Sequence, residues 1–535
     1  MHFQLKILIF LFSMLVTHGA VAEAESKSFE QIKNLITSKS FAEKTQAVSL
    51  LAAHPERRTT EILNALLEGE LYYRKTDKLL LITKKQNREY IVSDAITGQD
   101  LGVVKKREIK KITTNNSIRK KIRAALAVKQ LDSEDAVTRY QAVNQILGDP
   151  DAEMVTHLQQ RLEIENDKKV RQAIELALAI TELESADKKD RLAAIAGVSG
   201  SIEPAVRGKL ATIVADDPDE AVRKAAKKAL NNISVQIQLY SFLETLFFGL
   251  SLGSVLVLAA IGLAITFGVM GVINMAHGEL IMLGAYTTYV IQQALPELIG
   301  LSVLLAIPAA FIVSGLVGIL IEKTVIRHLY GRPLETLLAT FGISLILQQT
   351  VRSIFSPLNR SVVTPEWMSG SLEINSVLSL TYNRLYIIIF CLLVFVVLNI
   401  ILKKTSLGLQ VRAVTQNRSM ARAMGVRSAR VDALTFGLGS GIAGVAGVAL
   451  SQLTNVGPNL GQSYIVDSFM VVVFGGVGNL AGTLVSGLSL GVVNQFLEPW
   501  AGAVLAKILI LIFIILFIQK RPRGLFPQKG RSAEG

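Results

Sequence analysis

Three polar residues at short spacing inside an apolar stretch are the first candidates for chemistry in this chain. The segment GVINMAHGELIMLGAY, Gly271 to Tyr286, carries Asn274, His277 and Glu279. Ionisable groups are costly in hydrocarbon, and where they occur they mark substrate or ion paths. A carboxylate and an amide oxygen would accept N–H donors, while an amide or imidazole N–H would serve a carbonyl. An entirely apolar channel would block a hydrogen-bonding solute, because stripping its bonds without replacement costs several kcal/mol per group. The other reading is structural: Asn274 finishes one helix, His277 and Gly278 turn the chain, and Glu279 sits in the first turn of the next. A carboxylate there is favoured by unsatisfied N–H groups and the helix dipole. The segment falls at the inner end of a predicted span, which suits a turn, and both readings stay open on the residues alone. Gln348, Gln349, Asn494 and Gln495 are further polar candidates inside predicted spans.

The elements that must position these groups are membrane helices. Apolar runs near 242–268, 280–296, 299–321, 335–355, 384–402, 432–452, 464–478, 482–497 and 502–519 predict eight to nine spans. Three are short against the ~20 apolar residues of an untilted crossing. Loops expected inside, such as EKTVIRHLYGRPLE, KKTSLGLQVRAVTQNRSMARAMGVRSAR and QKRPRGLFPQKGR, are rich in Lys and Arg. Those expected outside are nearly free of them, and Trp500 suits an outer aromatic belt. Glycines at small-xxx-small spacing (Gly437 and Gly441, Gly487 and Gly491) let helices approach closely. The longest inner loop holds a short amphipathic helix. Thr415 is its expected N-cap, Met420, Ala423 and Met424 its apolar stripe, and Gly425 its stop. Such a helix lies on a bilayer or inserts into a partner's groove.

Residues 1–22 have the pattern of a signal peptide, with Lys6, an apolar Ile7–Val16 core and AVA at Ala20–Ala22. Residues 23–235 then form an exported domain. TRYQAVNQI and DRLAAIAGV recur 52 residues apart, as do VRQAIELAL and VRKAAKKAL. This predicts stacked helices of a HEAT-like kind, with a small β-meander inserted at about 69–112. A permease domain (236–525) and a cytoplasmic tail (526–535) follow. The fold class is an all-α polytopic permease preceded by this helical domain.

The net charge is +13, but much of the basic excess in the second half sits in short loops between apolar runs, the positive-inside pattern of a membrane protein and not a groove for phosphates. One cysteine, Cys391, excludes intrachain disulfides and cysteine metal sites. Six scattered histidines give no ligand set, and His54 and His157 of the exported domain read as solvated surface groups. FGGVGNLAGT is glycine-rich but lacks the phosphate-binding lysine, so it reads as an inner turn, and if transport is active ATP hydrolysis must come from another subunit. An enzyme is disfavoured. A stand-alone carrier and a membrane-anchored scaffold are the rival readings.

Over about residues 238–525 the chain resembles the LivH-like permeases of branched-chain amino-acid ABC importers. The likeness rests on INMAHGELIMLGAY, LGLQVRAVTQNRSMARAMGV, VVVFGGVGNLAGTLVSG and KRPRGLFP. The extra exported domain, with ELYYRKTDKLLLI and DAITGQDLG, resembles the N-terminal region of the family's urea-transport branch. The resemblance implies urea as substrate, with branched-chain or other amino acids as the alternative, no cofactor in this chain, and ATP bound by partners. The implied partners are a second permease subunit, two cytoplasmic ATPases and a periplasmic binding protein. It also implies ATPase coupling through Arg412, Asn417, Met420, Ala423, Met424 and Gly425.

Overall fold

The computed structural model describes residues 29–54, 58–86, 89–147 and 152–526. The expected signal peptide, and all of the tail but Phe526, lie outside those residues. The described chain divides into two compact units between Gln236 and Ile237.

The first unit opens with helices α1 (29–36), α2 (Phe41–Ala53) and α3 (Arg58–Glu68). An antiparallel sheet follows, of β1 (Leu71–Arg74), β2 (Leu80–Gln86), β3 (Glu89–Asp94), β4 (Asp100–Val104) and β5 (Ile109–Lys111). Its order is β4-β3-β2-β1-β5, so four strands form the expected meander and β5 closes the free edge of β1. Leu71 and Leu80 bury one sheet face against Ile32, Leu51, Ile62 and Ile118 of the helices. Helices α4 (Asn116–Leu131), α5 (Ala136–Ile146), α6 (Ala152–Ile164), α7 (Lys168–Glu182), α8 (Lys188–Val198) and α9 (Pro204–Asp216) come next, and α10 (Glu220–Met270) starts in this unit.

The 52-residue period has a physical content that the apolar pattern did not reveal. Arg139 donates from Nε and Nη2 to the two Glu165 oxygens at 2.8 Å each, while Nη1 serves the carbonyls of Ser133 and Glu134. One period later Arg191 pairs with Asp217 at 3.0 Å, and its Nη1 serves the carbonyls of Ser185 and Ala186. The Arg139 fork holds the Glu165 carboxyl down to about 2. Helix starts repeat as well: Asp135, Asp167, Asp187 and Asp219 each accept from the first turn of the helix they precede.

The second unit takes the rest of α10, then α11 (His277–Ala294), α12 (Ile299–Thr324) and α13 (Pro333–Phe355). A small hairpin, β6 (Ser371–Glu373) and β7 (Ser379–Thr381), leads into α14 (Tyr382–Lys404). Then come α15 (Ser406–Gln416), α16 (Arg418–Ala423), α17 (Ser428–Ser451), α18 (Leu460–Gly475), α19 (Leu480–Ala501) and α20 (Ala503–Lys520). Among the described residues seven helices are long and apolar enough to cross a membrane: α10, α12, α13, α14, α17, α19 and α20. The other two expected spans take different forms. Helix α18 has 16 residues, and α11 is too polar. Polarity is tolerated in α11 because its first half, His277 to Tyr286, is almost wholly covered by protein.

Glycine governs the packing around α11. A Cβ placed on Gly284 would lie 1.9 Å from the Gly444 carbonyl oxygen of α17, and one on Gly447 would lie 2.0 Å from that of Ile281. The backbones of α11 and α17 are therefore in direct contact. Without a hydrophobic drive between helices in lipid, such close approach supplies the van der Waals attraction.

Candidate site at the break between α10 and α11

The sequence puts a turn between α10 and α11, and the structure shows how that turn is built. Helix α10 ends at Met270, and Gly271 takes φ +66°, a left-handed conformation that glycine adopts without strain. Residues 271–276 form no helix. Asn274 therefore does not finish a helix. It lies in the connection, where its Oδ1 accepts from the Ala276 N–H at 3.0 Å. His277 opens α11, and Glu279 occupies its first turn as expected.

All three side chains are buried, and two of them reach other helices, His277 to α10 and Glu279 to α13. His277 Nε2 lies 2.8 Å from the Ala259 carbonyl of α10. A carbonyl only accepts, so Nε2 carries the proton. Glu279 Oε1 accepts from Ser344 Oγ at 2.9 Å and from Gln348 Nε2 at 2.7 Å, both on α13. Glu279 Oε2, His277 Nδ1 and Asn274 Nδ2 have no protein partner. A buried acceptor or donor left so costs about 1–3 kcal/mol each.

Gly268 packs on Gly478 in the turn between α18 and α19, the turn expected at the inner surface. His277 bonds nine residues back along α10, at Ala259. With ~1.5 Å per residue this puts the His277 contact roughly 13 Å along α10 from that turn. After α10 the connection runs alongside α13, where Thr340 Oγ1 accepts from the Met275 N–H at 3.1 Å.

A second helix start meets this break. A Cβ on Gly461, in the first turn of α18, would lie 2.2 Å from the Gly278 carbonyl oxygen and 2.9 Å from the Glu279 nitrogen. Neither α11 nor α18 has a side-chain cap at its N-terminus. Two helix starts, each without a side-chain cap and with the partial positive charge of a helix N-terminus, thus touch inside the domain.

The remaining polar candidates separate. Gln348 belongs to the Glu279 cluster. Gln349 does not: one residue on, about 100° round the helix, it is exposed. Asn494 and Gln495 lie half-buried on α19, Gln495 against α10 at Gly249, and neither bonds to Glu279. Sequence reading missed Ser344 and Thr340. Thr336, Thr340, Ser344 and Gln348 form a buried stripe at every fourth residue of α13, and that spacing was the available signal.

The inner-loop helix is α16, capped by Asn417 rather than Thr415. Asn417 Oδ1 accepts from the Met420 N–H at 2.9 Å, whereas Thr415 Oγ1 donates back to the Val411 carbonyl inside α15. The structure thus has two short helices, α15 and α16, where one was expected. Gly425 takes φ +88° and ends α16. Met420, Ala423 and Met424 are exposed together, Met424 to 79%. Arg412 does not face that stripe but bonds the Leu402 carbonyl of α14.

Residues 245–518 match the family model described as a branched-chain amino acid transport system permease component. The chain is 32% identical over 299 residues to the high-affinity branched-chain amino acid transport permease LivH of Salmonella typhimurium. That alignment covers 54% of this chain and 96% of the relative. It is 30% identical over 297 residues to BraD, the corresponding permease of Pseudomonas aeruginosa, again covering 54% and 96%. A shorter likeness, 32% over 136 residues, reaches the ribose import permease RbsC of Bacillus subtilis, covering 23% of this chain and 42% of the relative. These relatives are transport permeases and not enzymes. The chain is thus a multi-pass membrane protein that belongs to the branched-chain amino acid transport permease family.

Proposed function

We propose that this chain is the permease subunit of a binding-protein-dependent ABC importer, and that the α10–α11 break is the polar step on its translocation path. The observation that carries this reading is the meeting of two uncapped helix starts at Gly278 and Gly461, beside a carboxyl whose second oxygen has no partner. Helix starts inside a membrane suit an anionic substrate group. The free Glu279 oxygen suits an N–H donor. An amino acid offers both, a carboxylate and an ammonium, and the names of the relatives put branched-chain amino acids first. Asn274, His277 and Gln348 then hold the break in shape around Glu279.

Urea is the second reading. The relatives align with about half of this chain, and residues 23–235 resemble the region that accompanies the urea branch. Urea would use the free Glu279 oxygen for its N–H groups and Asn274 Nδ2 for its carbonyl, and would make no use of the helix dipoles. In either case ATP is hydrolysed by two cytoplasmic ATPases that dock on α16, and a second permease subunit and a periplasmic binding protein complete the assembly. The first unit lies in the periplasm as a helical-repeat docking module behind a signal peptide.

Uptake of labelled leucine and labelled urea, in cells with and without this gene and with its neighbours intact, tests the proposal. Loss of leucine uptake alone supports the amino-acid reading, and loss of urea uptake alone the second. Unchanged uptake of both contradicts a role in importing either solute.

A further inference from the structure

The helix that presents Met420 and Met424 is fastened to the core by a joint of three side chains from three segments. Arg418, in the first turn of α16, pairs with Asp432 in the first turns of α17. Its guanidinium stacks on the Tyr330 ring, with Cζ 3.9 Å from the centroid, and Tyr330 comes from the connection between α12 and α13. Tyr330 in turn donates from its hydroxyl to Asp432 Oδ1 at 3.3 Å. Asp432 is 2% exposed and therefore depends on these two donors. Burial pushes the Tyr330 phenol up to about 12, so it keeps its proton and stays a donor. A second bond, Arg422 Nε to Ser428 Oγ at 2.7 Å, ties the far end of α16 to the first residue of α17. Below them Val411, Val414, Ala421 and Val431 form a small apolar cluster, and Val269 in the last turn of α10 packs on it.

Helix α17 continues from this joint to the break. Gly439 approaches α10 so closely that a Cβ on Gly262 would lie 2.2 Å from the Gly439 carbonyl oxygen and 2.8 Å from His277 Cε1. Gly444 touches α11 at Gly284. A displacement of α17 along its axis must therefore be taken up by the backbones on both sides of the break, because glycine contacts leave no flexible side chains to absorb it.

We infer that the Arg418–Asp432–Tyr330 joint is the positioning element that passes movement of α16 to α17 and from there to the α10–α11 break. The inference rests on the reading of α16 as the ATPase-docking helix. Arg418 and Asp432 are not part of the docking surface: it is the exposed methionines that face outward, while Asp432 faces in. Physical adjacency alone does not demonstrate coupling, so the test must separate docking from transmission.

The full importer is purified with its ATPase subunits, reconstituted, and assayed for ATPase association, ATP hydrolysis, and solute transported per ATP. Asp432→Asn keeps the volume and one acceptor but removes the charge that holds Arg418. The inference expects normal ATPase association and hydrolysis in this variant, with transport per ATP reduced about tenfold. The exchange Arg418→Asp with Asp432→Arg restores the pair in reverse and is expected to recover most of that loss. Unchanged transport per ATP in Asp432→Asn overturns the inference. So does loss of ATPase association in Asp432→Asn, because the joint would then only shape the docking helix. Met424→Glu is the control for the underlying reading. If it leaves ATPase association intact, the docking assignment of α16 fails, whatever Asp432→Asn does.

Discussion

The two units are both largely helical, yet their helices are held together by opposite means. In the first unit branched side chains such as Ile32, Leu51, Ile62, Ile118 and Ile122 fill the core, carboxylates cap helix starts, and arginines clamp successive turns. In the second unit contact at the centre is backbone to backbone through Gly284 and Gly444, or Gly278 and Gly461. There the helix starts at α11 and α18 have no side-chain cap, and Oγ or amide groups bond across helices instead. The contrast follows from the solvent. Water rewards burial of large apolar groups and tolerates charged caps at the rim. Lipid gives no reward for burying one apolar group against another, so shape and a few internal hydrogen bonds carry the association.

The largest expected effect is on the glycine contacts. Gly284→Val places a branched side chain where the Gly444 carbonyl already lies within 1.9 Å of a first carbon. Over-packing against backbone of this severity exceeds the about 1–3 kcal/mol of ordinary core over-packing, and the expected outcome is loss of folded protein from detergent extracts, read by size-exclusion chromatography. Gly300→Ala, at a position with open space, is the matched control and is expected to behave as wild type.

The buried ion pair of the first unit comes next. Glu165→Gln leaves Arg139 without its counter-charge, at a cost of about 3–5 kcal/mol, read as a lower melting temperature for that unit in the full-length protein. The same pair predicts an acid response. The folded-state value of Glu165 is lowered to about 2, so its stabilisation is complete above the ordinary carboxylate range and disappears as pH falls through about 2. Acid unfolding of the Glu165→Gln variant should lack this component. A helix cap is smaller again: Asp187→Ala is expected to cost about 1 kcal/mol by denaturant titration.

The smallest effect belongs to the membrane hydrogen bonds. Ser344→Ala removes one of two donors to Glu279 Oε1 while Gln348 remains. Interhelical bonds of this kind average about 0.6 kcal/mol in a bilayer. Stability should barely change, and a loss as large as that of the ion pair would contradict the contrast between the two units.

Much of this was legible in the sequence because it depends on local pattern. The apolar runs located the helices of the second unit, the 52-residue period marked the repeated helices, and the β-prone runs marked the meander. What was not legible depends on long-range contact. The partner of Arg139 lies 26 residues away, and nothing near Arg139 identifies it. The burial of Asn274, His277 and Glu279 was not legible, because hydropathy along the chain does not distinguish an exposed turn from a connection covered by other helices. Gln348 and Gln349 look equivalent in sequence and are separated only by helix rotation. Thr415 and Asn417 are both good caps, and only the actual start of α16 chooses between them.

The most direct test of the account is transport by the assembled importer carrying Glu279→Ala, with Glu279→Gln beside it. If the break is the polar step of the path, Glu279→Ala should assemble and hydrolyse ATP but move solute at least about tenfold more slowly, and Glu279→Gln, which keeps one acceptor oxygen, should fall between. Wild-type transport by an assembled Glu279→Ala complex would contradict it, and would leave Asn274, His277 and Glu279 as a structural turn.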